Sequence, residues 1–203
     1  MASQVEIANR ALQRIGAKRI NDLNEGSASA DAIKAAWDAV VLRELSTNFW
    51  TFAITRARLS ADTAAPLFGR RFQYSLPNNY LRLAPMDPTY GTPMTDFLFE
   101  GTKIVTDWAP PLEIRYVRSD LTPDLYHPLF ANAIAMSLAM EVCEELTQSP
   151  SKNDRVEAAY TTFIAQARRS NGIEAGPIAP EIDELVAVRL TEANDATLRK
   201  YSN

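Results

Sequence analysis

The chain has very few of the residues that build most reactive centres. Among its 203 residues there is one cysteine, Cys143, and one histidine, His127. A single cysteine excludes a disulfide within the chain, and one cysteine with one histidine cannot form a cysteine and histidine zinc site. We therefore expect no structural metal and no bound cofactor.

The sequence also lacks a long apolar run. Nothing in it approaches the roughly 18 to 20 consecutive apolar residues that span a bilayer. The opening residues, MASQVEIANR, have the pattern of an amphipathic helix and not that of a signal peptide. We therefore expect a protein made in the cytoplasm that has no membrane contact.

Motifs of the common enzyme classes are missing as well. The sequence contains no glycine-rich phosphate loop, no GxSxG elbow and no HExxH zinc helix. His127 precedes Pro128 at a predicted helix start, which favours a capping role, and Cys143 falls on a predicted buried stripe. Glu144 and Glu145 are adjacent and would point in different directions on a helix. We predict that the protein is not an enzyme, since an unrecognised active site has no residue constellation to support it.

The net charge of −4 is unevenly distributed. Residues 49–118 contain 8 Lys or Arg against 6 Asp or Glu, whereas residues 119–203 contain 7 against 13. Proteins that bind DNA through its phosphates usually carry a concentrated positive face. The faint positive balance of residues 49–118 therefore argues against tight non-specific DNA binding.

Helical periodicity predicts two helices within residues 1–48. Ser3 and Glu6 have the spacing of a capping box, and Gly16 supplies a stop for the first helix. The second helix should begin at a cap formed by Ser27 or Ser29 and should end near Asn48. Its predicted buried stripe contains Ile33, Trp37, Val40, Val41 and Leu45.

Residues 49–122 predict a small β-domain. Short segments rich in aromatic and β-branched residues alternate there with Pro, Gly, Asn and Asp. Gly101 can supply the positive φ of a hairpin turn between DFLFE and TKIVTD. In the last segment we expect one face against a core and one in solvent. The core face contains Leu112, Ile114 and Tyr116, and the solvent face contains Glu113, Arg115 and Val117.

A second helical pair is predicted within residues 123–172. The two helices lie on either side of the segment SPSKND, which we expect to interrupt the helical structure. The last helix should end at Asn171 and Gly172. Residues 173–203 have two prolines, an acidic bias and one short apolar patch, so they should not fold alone. The predicted fold class is α+β and mainly helical: about four helices, a small antiparallel β-domain inserted between helices 2 and 3, and an extended C-terminal docking tail.

The segment TNFWTFAITRARLSAD joins the second helix to the first strand. We expect Phe49, Trp50 and Phe52 to form a core at this helix-sheet junction, with a ligand-binding or base-stacking role as the alternative. Arginines on the β-domain should point outward and pair with neighbours such as Glu113, although they are also candidates for a nucleic-acid surface or a subunit contact. The possible subunit-contact arginines are Arg56, Arg58, Arg70 and Arg71.

Several short motifs occur in the order found in a known family. These are RIG in the first helix, the polar link after it, WTFAI at the junction, LPNNYLRL and FLFEGTKIVTD in the β-domain, and the helix from Ala133 to Glu144. In this order the chain resembles the tail tubular protein A family, the head-to-tail adaptors of short-tailed bacteriophages, over roughly residues 5 to 170.

The resemblance implies a structural protein of the virion tail. Such adaptors form a ring of twelve copies between the portal protein and the tail nozzle, and the genomic DNA passes through the ring without specific binding. The family holds the portal through a terminal extension, which would here use Ile182, Leu185, Val186 and Leu190. The alternative function is a nucleic-acid-binding module that uses the arginines of the β-domain.

Overall fold

The computed structural model of the chain describes residues 3–85 and 96–175. Within these residues the chain forms four α-helices and six strands. The helices are α1 (Gln4–Ile15), α2 (Ala28–Thr47), α3 (Pro128–Thr147) and α4 (Pro150–Glu174). The strands are β1 (Ile54–Leu59), β2 (Phe72–Ser75), β3 (Tyr80–Leu83), β4 (Phe97–Glu100), β5 (Lys103–Thr106) and β6 (Leu112–Arg118). The predicted α+β class, with the sheet region between α2 and α3, is confirmed.

The helix starts follow from local capping. The Ser3 hydroxyl accepts a hydrogen bond from the Glu6 backbone N–H at 3.1 Å, and Gly16 ends α1 in the left-handed conformation at φ 70°. Ser27 caps α2 in the same way through the Ala30 N–H at 3.3 Å. These contacts place the first two helices where the sequence predicts them.

Helix α3 lies at the centre of the bundle and packs against α1, α2 and α4. Its sequence explains this position, because alanines alternate with larger apolar residues around most of its circumference and allow three neighbours to approach closely. Phe130, Ile134 and Leu138 are fully buried along it. The helices, together with Trp50 and Val117, enclose the larger of two hydrophobic cores, which we call the helical core.

The β-region consists of two three-stranded antiparallel sheets. The strand order is β1-β6-β3 in the first sheet and β2-β5-β4 in the second. Gly101, at φ 61°, makes the turn of the β4–β5 hairpin. A smaller core, which we call the sheet core, is enclosed between the sheets by Leu59, Tyr74, Ile104, Leu112, Ile114 and Tyr116.

Three sequence predictions about this region and the last helices are wrong. Val117 is fully buried, because the end of β6 leaves the sheet core and enters the helical core. The segment SPSKND does not separate the last two helices over its whole length, since Pro150 already begins α4 and only Ser149 of the segment lies outside that helix. Helix α4 continues through Asn171 and Gly172 to Glu174, because Asn171 is used in tertiary contacts instead of a cap.

None of the helices in the described residues is both long and apolar enough to cross a membrane. The predicted docking residues Ile182, Leu185, Val186 and Leu190 lie outside the described part of the chain.

Candidate functional site

The candidate site is the joint at which the helices meet the sheets. After α2 the chain extends through Asn48 and makes one 3-10 turn, Thr51–Ala53, before β1 begins. The indole of Trp50 is 1% exposed, and its ring centroid lies 5.0 Å from that of Phe130 in an edge-to-face arrangement. Its Nε1 donates to the backbone carbonyl of Glu44 at 2.9 Å. Because its polar atom is satisfied, the indole can be buried at this position without penalty.

Other aromatic rings complete this packing. The Phe52 ring centroid also lies 5.0 Å from that of Phe130, and the ring of Tyr126 meets Phe130 edge to face at 5.0 Å. Phe49 and Phe52 are partly buried against the helical core. We call the five residues Phe49, Trp50, Phe52, Tyr126 and Phe130 the aromatic joint.

A second connection comes from the far end of α4. The Asn171 side chain accepts from the Thr51 backbone N–H at 2.8 Å and donates to the Phe49 carbonyl at 2.8 Å. One amide thus satisfies a backbone donor and a backbone acceptor on either side of Trp50. Asn171 is 8% exposed, so water does not compete freely for these bonds.

A third connection comes from the first sheet. Arg82 on β3 places its guanidinium 3.9 Å from the ring centroid of Phe49, and its Nη1 donates to the carbonyl of Ser46 in the last turn of α2. A cation at this end of a helix interacts favourably with the exposed carbonyls and the helix dipole, and the aromatic face adds a cation–π contact. Arg82 therefore fixes the sheet to α2.

A buried carboxylate lies next to the joint. Glu44 is 1% exposed and accepts from the Ser137 hydroxyl at 2.8 Å and from the Tyr160 hydroxyl at 2.8 Å. Arg43 donates to the same Ser137 oxygen at 2.8 Å and pairs with Glu141 at 3.0 Å. Burial, followed by the nearby Glu44 charge, raises the pKa of Tyr160 to about 12.

This polar cluster lines a recess of about 330 Å³ on the side of the bundle. Its hydroxyls from α3 and α4 both donate to a carboxylate on α2, so the cluster cross-links three helices. Ser137 is therefore held as a donor to Glu44 and is not paired with a histidine base as a nucleophile would be. The arrangement stabilises the position of α2, and this is the role that its geometry supports.

The described residues contain no group of three or more His, Cys, Asp or Glu side chains that could hold a metal ion. The His127 Nδ1 accepts from the Leu129 N–H at 3.3 Å at the start of α3, and Cys143 is fully buried. Both residues therefore occupy the positions that the sequence predicts for them.

The predicted arginines differ in their positions and in their partners. Arg56 and Arg58 are exposed on β1, and Arg58 Nε pairs with Glu113 Oε1 at 2.7 Å. Arg70 binds two carboxylates, Asp96 and Asp107, the second at 2.9 Å. These contacts raise the pKa of Arg70, with the bond to Asp96 as the largest cause.

The same ion pairs act on the acidic partner. The hydrogen bond from Arg70 lowers the pKa of Asp107, and the backbone N–H of Arg71, 2.9 Å from Asp107 Oδ1, lowers it further. Among the four predicted arginines, Arg58, Arg70 and Arg71 thus have carboxylate neighbours, whereas Arg56 has no ion pair within the described residues.

Comparison of the sequence with protein-family models and with characterised proteins finds no match.

Proposed function

We propose that this protein is a structural adaptor of a bacteriophage tail, in which a ring of copies, twelve in the family that it resembles, connects the portal protein to the tail nozzle. The order of elements supports this proposal, because a sheet region lies between the second and third helices as the resemblance implies. In this role the protein belongs to the virion, and genomic DNA passes through the ring.

The observation that carries the proposal is the triple connection at the joint. An adaptor must keep two binding regions at a fixed angle while DNA is moved past it. The aromatic joint, Asn171 and Arg82 fix the sheets to the helices by three independent kinds of contact. Closely packed interfaces of this kind transmit strain instead of absorbing it, which suits a connector through which mechanical force is passed.

The pairing of the arginines argues against the alternative of a nucleic-acid-binding module. A cation that is already hydrogen-bonded to a carboxylate releases fewer counterions when a phosphate approaches. Arg58 and Arg70 are bound in this way. We therefore expect the purified chain to have negligible affinity for duplex DNA at physiological salt. Salt-sensitive binding measured by fluorescence anisotropy would favour the alternative.

The experiment that tests the adaptor is to mix the purified chain with portal rings and measure the mass of the complex. A complex with several copies of the chain on each portal ring supports the proposal. Absence of binding to the portal contradicts it. The variant Leu185→Asp should lose portal binding, because the family holds the portal through a terminal extension and Leu185 belongs to the apolar patch of the corresponding segment here. Thr191→Asp adds the same charge six residues further on and serves as the matched control.

A further inference from the structure

A recess of about 410 Å³ lies where α1, α3 and α4 meet. Among the described residues that line it, none is acidic. The residues with N–H donors are Arg10, Gln13, Arg14 and Asn132, and the apolar lining includes Met136 and Phe163. A recess that is rich in donors and has no carboxylate of its own suits a negatively charged ligand. We call it the donor recess.

Two of these donor groups are still available. Arg10 is not, because its Nη1 donates to Asn132 Oδ1 at 2.8 Å and its Nη2 pairs with Glu6. Arg14, one helical turn further along α1, is exposed and makes no ion pair with the described residues. The Asn132 Nδ2 likewise donates to no acceptor in that part of the chain. Arg14 and Asn132 can therefore bind a carboxylate without giving up an existing contact.

Another cation adds to the positive charge near Arg14. The Lys152 Nζ on α4 donates to the carbonyl of Ile15, the last residue of α1, at 3.0 Å. Arg14 directly precedes Ile15, and Lys152 has no carboxylate partner within residues 3–85 and 96–175. Charges this close act on one another, because the screening length is about 10 Å at 0.1 M salt. The recess therefore attracts an acidic segment more strongly than Arg14 alone would.

The sequence contains such a segment shortly after α4. Residues 181–184, EIDE, contain three carboxylates, and no lysine or arginine occurs between Arg169 and Arg189. The charge of these carboxylates is therefore not neutralised by neighbours in the sequence. We call residues 181–184 the acidic segment. It lies outside the described residues and begins seven residues after the end of α4 at Glu174.

The length of this connection allows the acidic segment to reach the recess of its own chain. Phe163, which lines the recess, precedes Glu174 by eleven residues, or roughly 17 Å of helix. The seven residues from Glu174 to Glu181 can extend over about 23 to 25 Å. Among them are Gly176 and Pro177, residue types that end helices and favour a change of chain direction. A chain that turns back there brings the acidic segment to the recess.

We propose that the acidic segment binds the donor recess of its own chain in the free protein, with its carboxylates accepting from Arg14 and Asn132. The contact covers part of the region that the proposed function assigns to the portal, since Ile182 lies within the segment and Leu185 follows it. Portal binding then requires release of the segment. This consequence rests on the proposed adaptor function, whereas the contact itself does not.

Disulfide trapping in the full chain tests the contact. The variant Gln13→Cys with Ile182→Cys places one thiol at the exposed rim of the recess and one within the acidic segment, while the natural Cys143 is buried. Oxidation of dilute protein should give an intrachain disulfide, seen as a faster band on a non-reducing gel, at a rate that does not depend on protein concentration. A disulfide-linked dimer whose yield rises with concentration would mean that the segment binds a neighbouring copy, and it would overturn the contact within one chain.

Thr161→Cys with Ile182→Cys is the matched control for a segment that is tethered but not bound. Thr161 is exposed and lies two residues before Phe163, on about the opposite side of α4. Each rate is divided by that of the same thiols with a small neutral disulfide, which corrects for differences in thiol exposure and pKa. The Gln13 pair should close at least about tenfold faster than the Thr161 pair, because binding raises the effective concentration of the second thiol. Equal corrected rates would overturn the proposal.

Charge reversal tests the chemistry of the contact. In the Gln13 pair, Arg14→Glu should lower the corrected rate about fivefold or more, since it replaces attraction by repulsion. Arg56→Glu, at an exposed arginine on β1, should leave the rate unchanged. Adding Asp183→Lys and Glu184→Lys to the Arg14→Glu protein should restore the fast rate. A rate that Arg14→Glu does not lower, or that the two lysines do not restore, overturns the contact.

Portal rings separate this contact from the adaptor function. The reduced double-cysteine chain should bind the rings, whereas the oxidised chain, whose segment is held at the recess, should bind them about tenfold more weakly. Equal binding of the two forms would show that portal binding does not require release of the segment, and it would overturn that consequence. Failure of the native chain to bind the rings contradicts the adaptor function, while the corrected disulfide rates still decide the contact at the recess.

Discussion

The helical core and the sheet core differ in size and in the interactions that surround them. Within the described residues the helical core contains thirty buried hydrophobic residues and the sheet core six. The sheets add ion pairs such as Arg58 with Glu113 and Arg70 with Asp107. Burial of a large apolar side chain contributes about 1.5 to 3 kcal/mol, whereas an exposed ion pair contributes about 0 to 1 kcal/mol. The sheet region is therefore expected to depend on the helical core for its stability.

The boundary between the two cores supports this dependence. Trp50, Ala53, Val117 and Leu121 lie outside the four helices but are buried in the helical core. These residues begin and end the sheet region in the sequence. Loss of the helical core should therefore unfold the sheets as well, and the substitutions below test this from the largest expected effect to the smallest.

Trp50→Ala should destabilise the fold most. The substitution leaves a cavity beside Phe130 and removes the donor to the Glu44 carbonyl, at a cost of about 3 to 5 kcal/mol in the free energy of unfolding. Urea denaturation followed by circular dichroism should show one transition at lower urea for both regions. Trp108→Ala, at an indole that is 37% exposed, is the matched control and should cost much less.

Two results would contradict the comparison. Equal losses for Trp50→Ala and Trp108→Ala would show that the aromatic joint is not part of the main core. A second transition that belongs to the sheets alone would show that the sheet region is independently stable. In either case the joint could not be the connection on which the sheets depend.

Asn171→Ala should weaken the joint while leaving the helical core intact. It removes the side-chain acceptor of the Thr51 N–H and the side-chain donor to the Phe49 carbonyl, and the loss of these two bonds should cost about 2 to 3 kcal/mol. Hydrogen exchange of the Thr51 amide should accelerate, because that amide donates to Asn171 Oδ1. Asn9→Ala is the control, since Asn9 makes the same pair of bonds to Ile20 within the helical region.

The control distinguishes a local effect from general destabilisation. Asn9→Ala should lower stability by a similar amount through the same chemistry, but it should not selectively accelerate exchange at Thr51. If both variants change exchange at Thr51 equally, Asn171 has no special role at the joint.

The helices are the part of this fold that the sequence predicts well, because their signals are local. Ser3 and Gly16 cap α1 through contacts within a few residues, and the predicted stripe of α2 is buried along its whole length. The strands and the turn at Gly101 are also local features. These elements could be placed without knowledge of their neighbours.

The connections between elements were not predictable in the same way. The sequence suggests Asn171 as a helix stop, yet its partners at Phe49 and Thr51 lie about 120 residues away. The burial of Glu44 could be predicted, because Glu44 follows Val40 by one helical turn on the buried face of α2. Its partners on α3 and α4 could not, because they are equally remote in the sequence. Charged or amide side chains at buried positions are the features of this sequence that mark such contacts.

Tyr160→Phe tests the polar cluster, and its expected effect is smaller. At neutral pH it removes a hydrogen bond to a buried carboxylate and should cost about 1 to 2 kcal/mol. The pKa of Tyr160 is raised from 10.0 to about 12 in the fold, so the unfolded state releases this proton first as the pH rises. The raised pKa therefore contributes fully to the free energy of unfolding below pH 10, and this contribution is lost as the pH rises towards 12.

The stability difference between the native protein and Tyr160→Phe should therefore shrink across this alkaline range. Taking the difference between the two proteins cancels the effects of lysine deprotonation and of the other tyrosines, which both proteins share. A constant difference from pH 9 to 12 would show that the pKa of Tyr160 is the same in the folded and unfolded states.

Arg58→Ala should have the smallest effect and completes the comparison on the sheet side. The Arg58 and Glu113 side chains are 76% and 54% exposed, so loss of their ion pair should cost less than about 0.5 kcal/mol. Arg56→Ala, on the same strand, is the control for loss of an exposed arginine. Arg70→Met should cost more than either, because Arg70 is 28% exposed and binds two carboxylates, and this excess should shrink at about 1 M salt. If Arg58→Ala were as damaging as Asn171→Ala, surface ion pairs and not the helical core would hold the sheets in place.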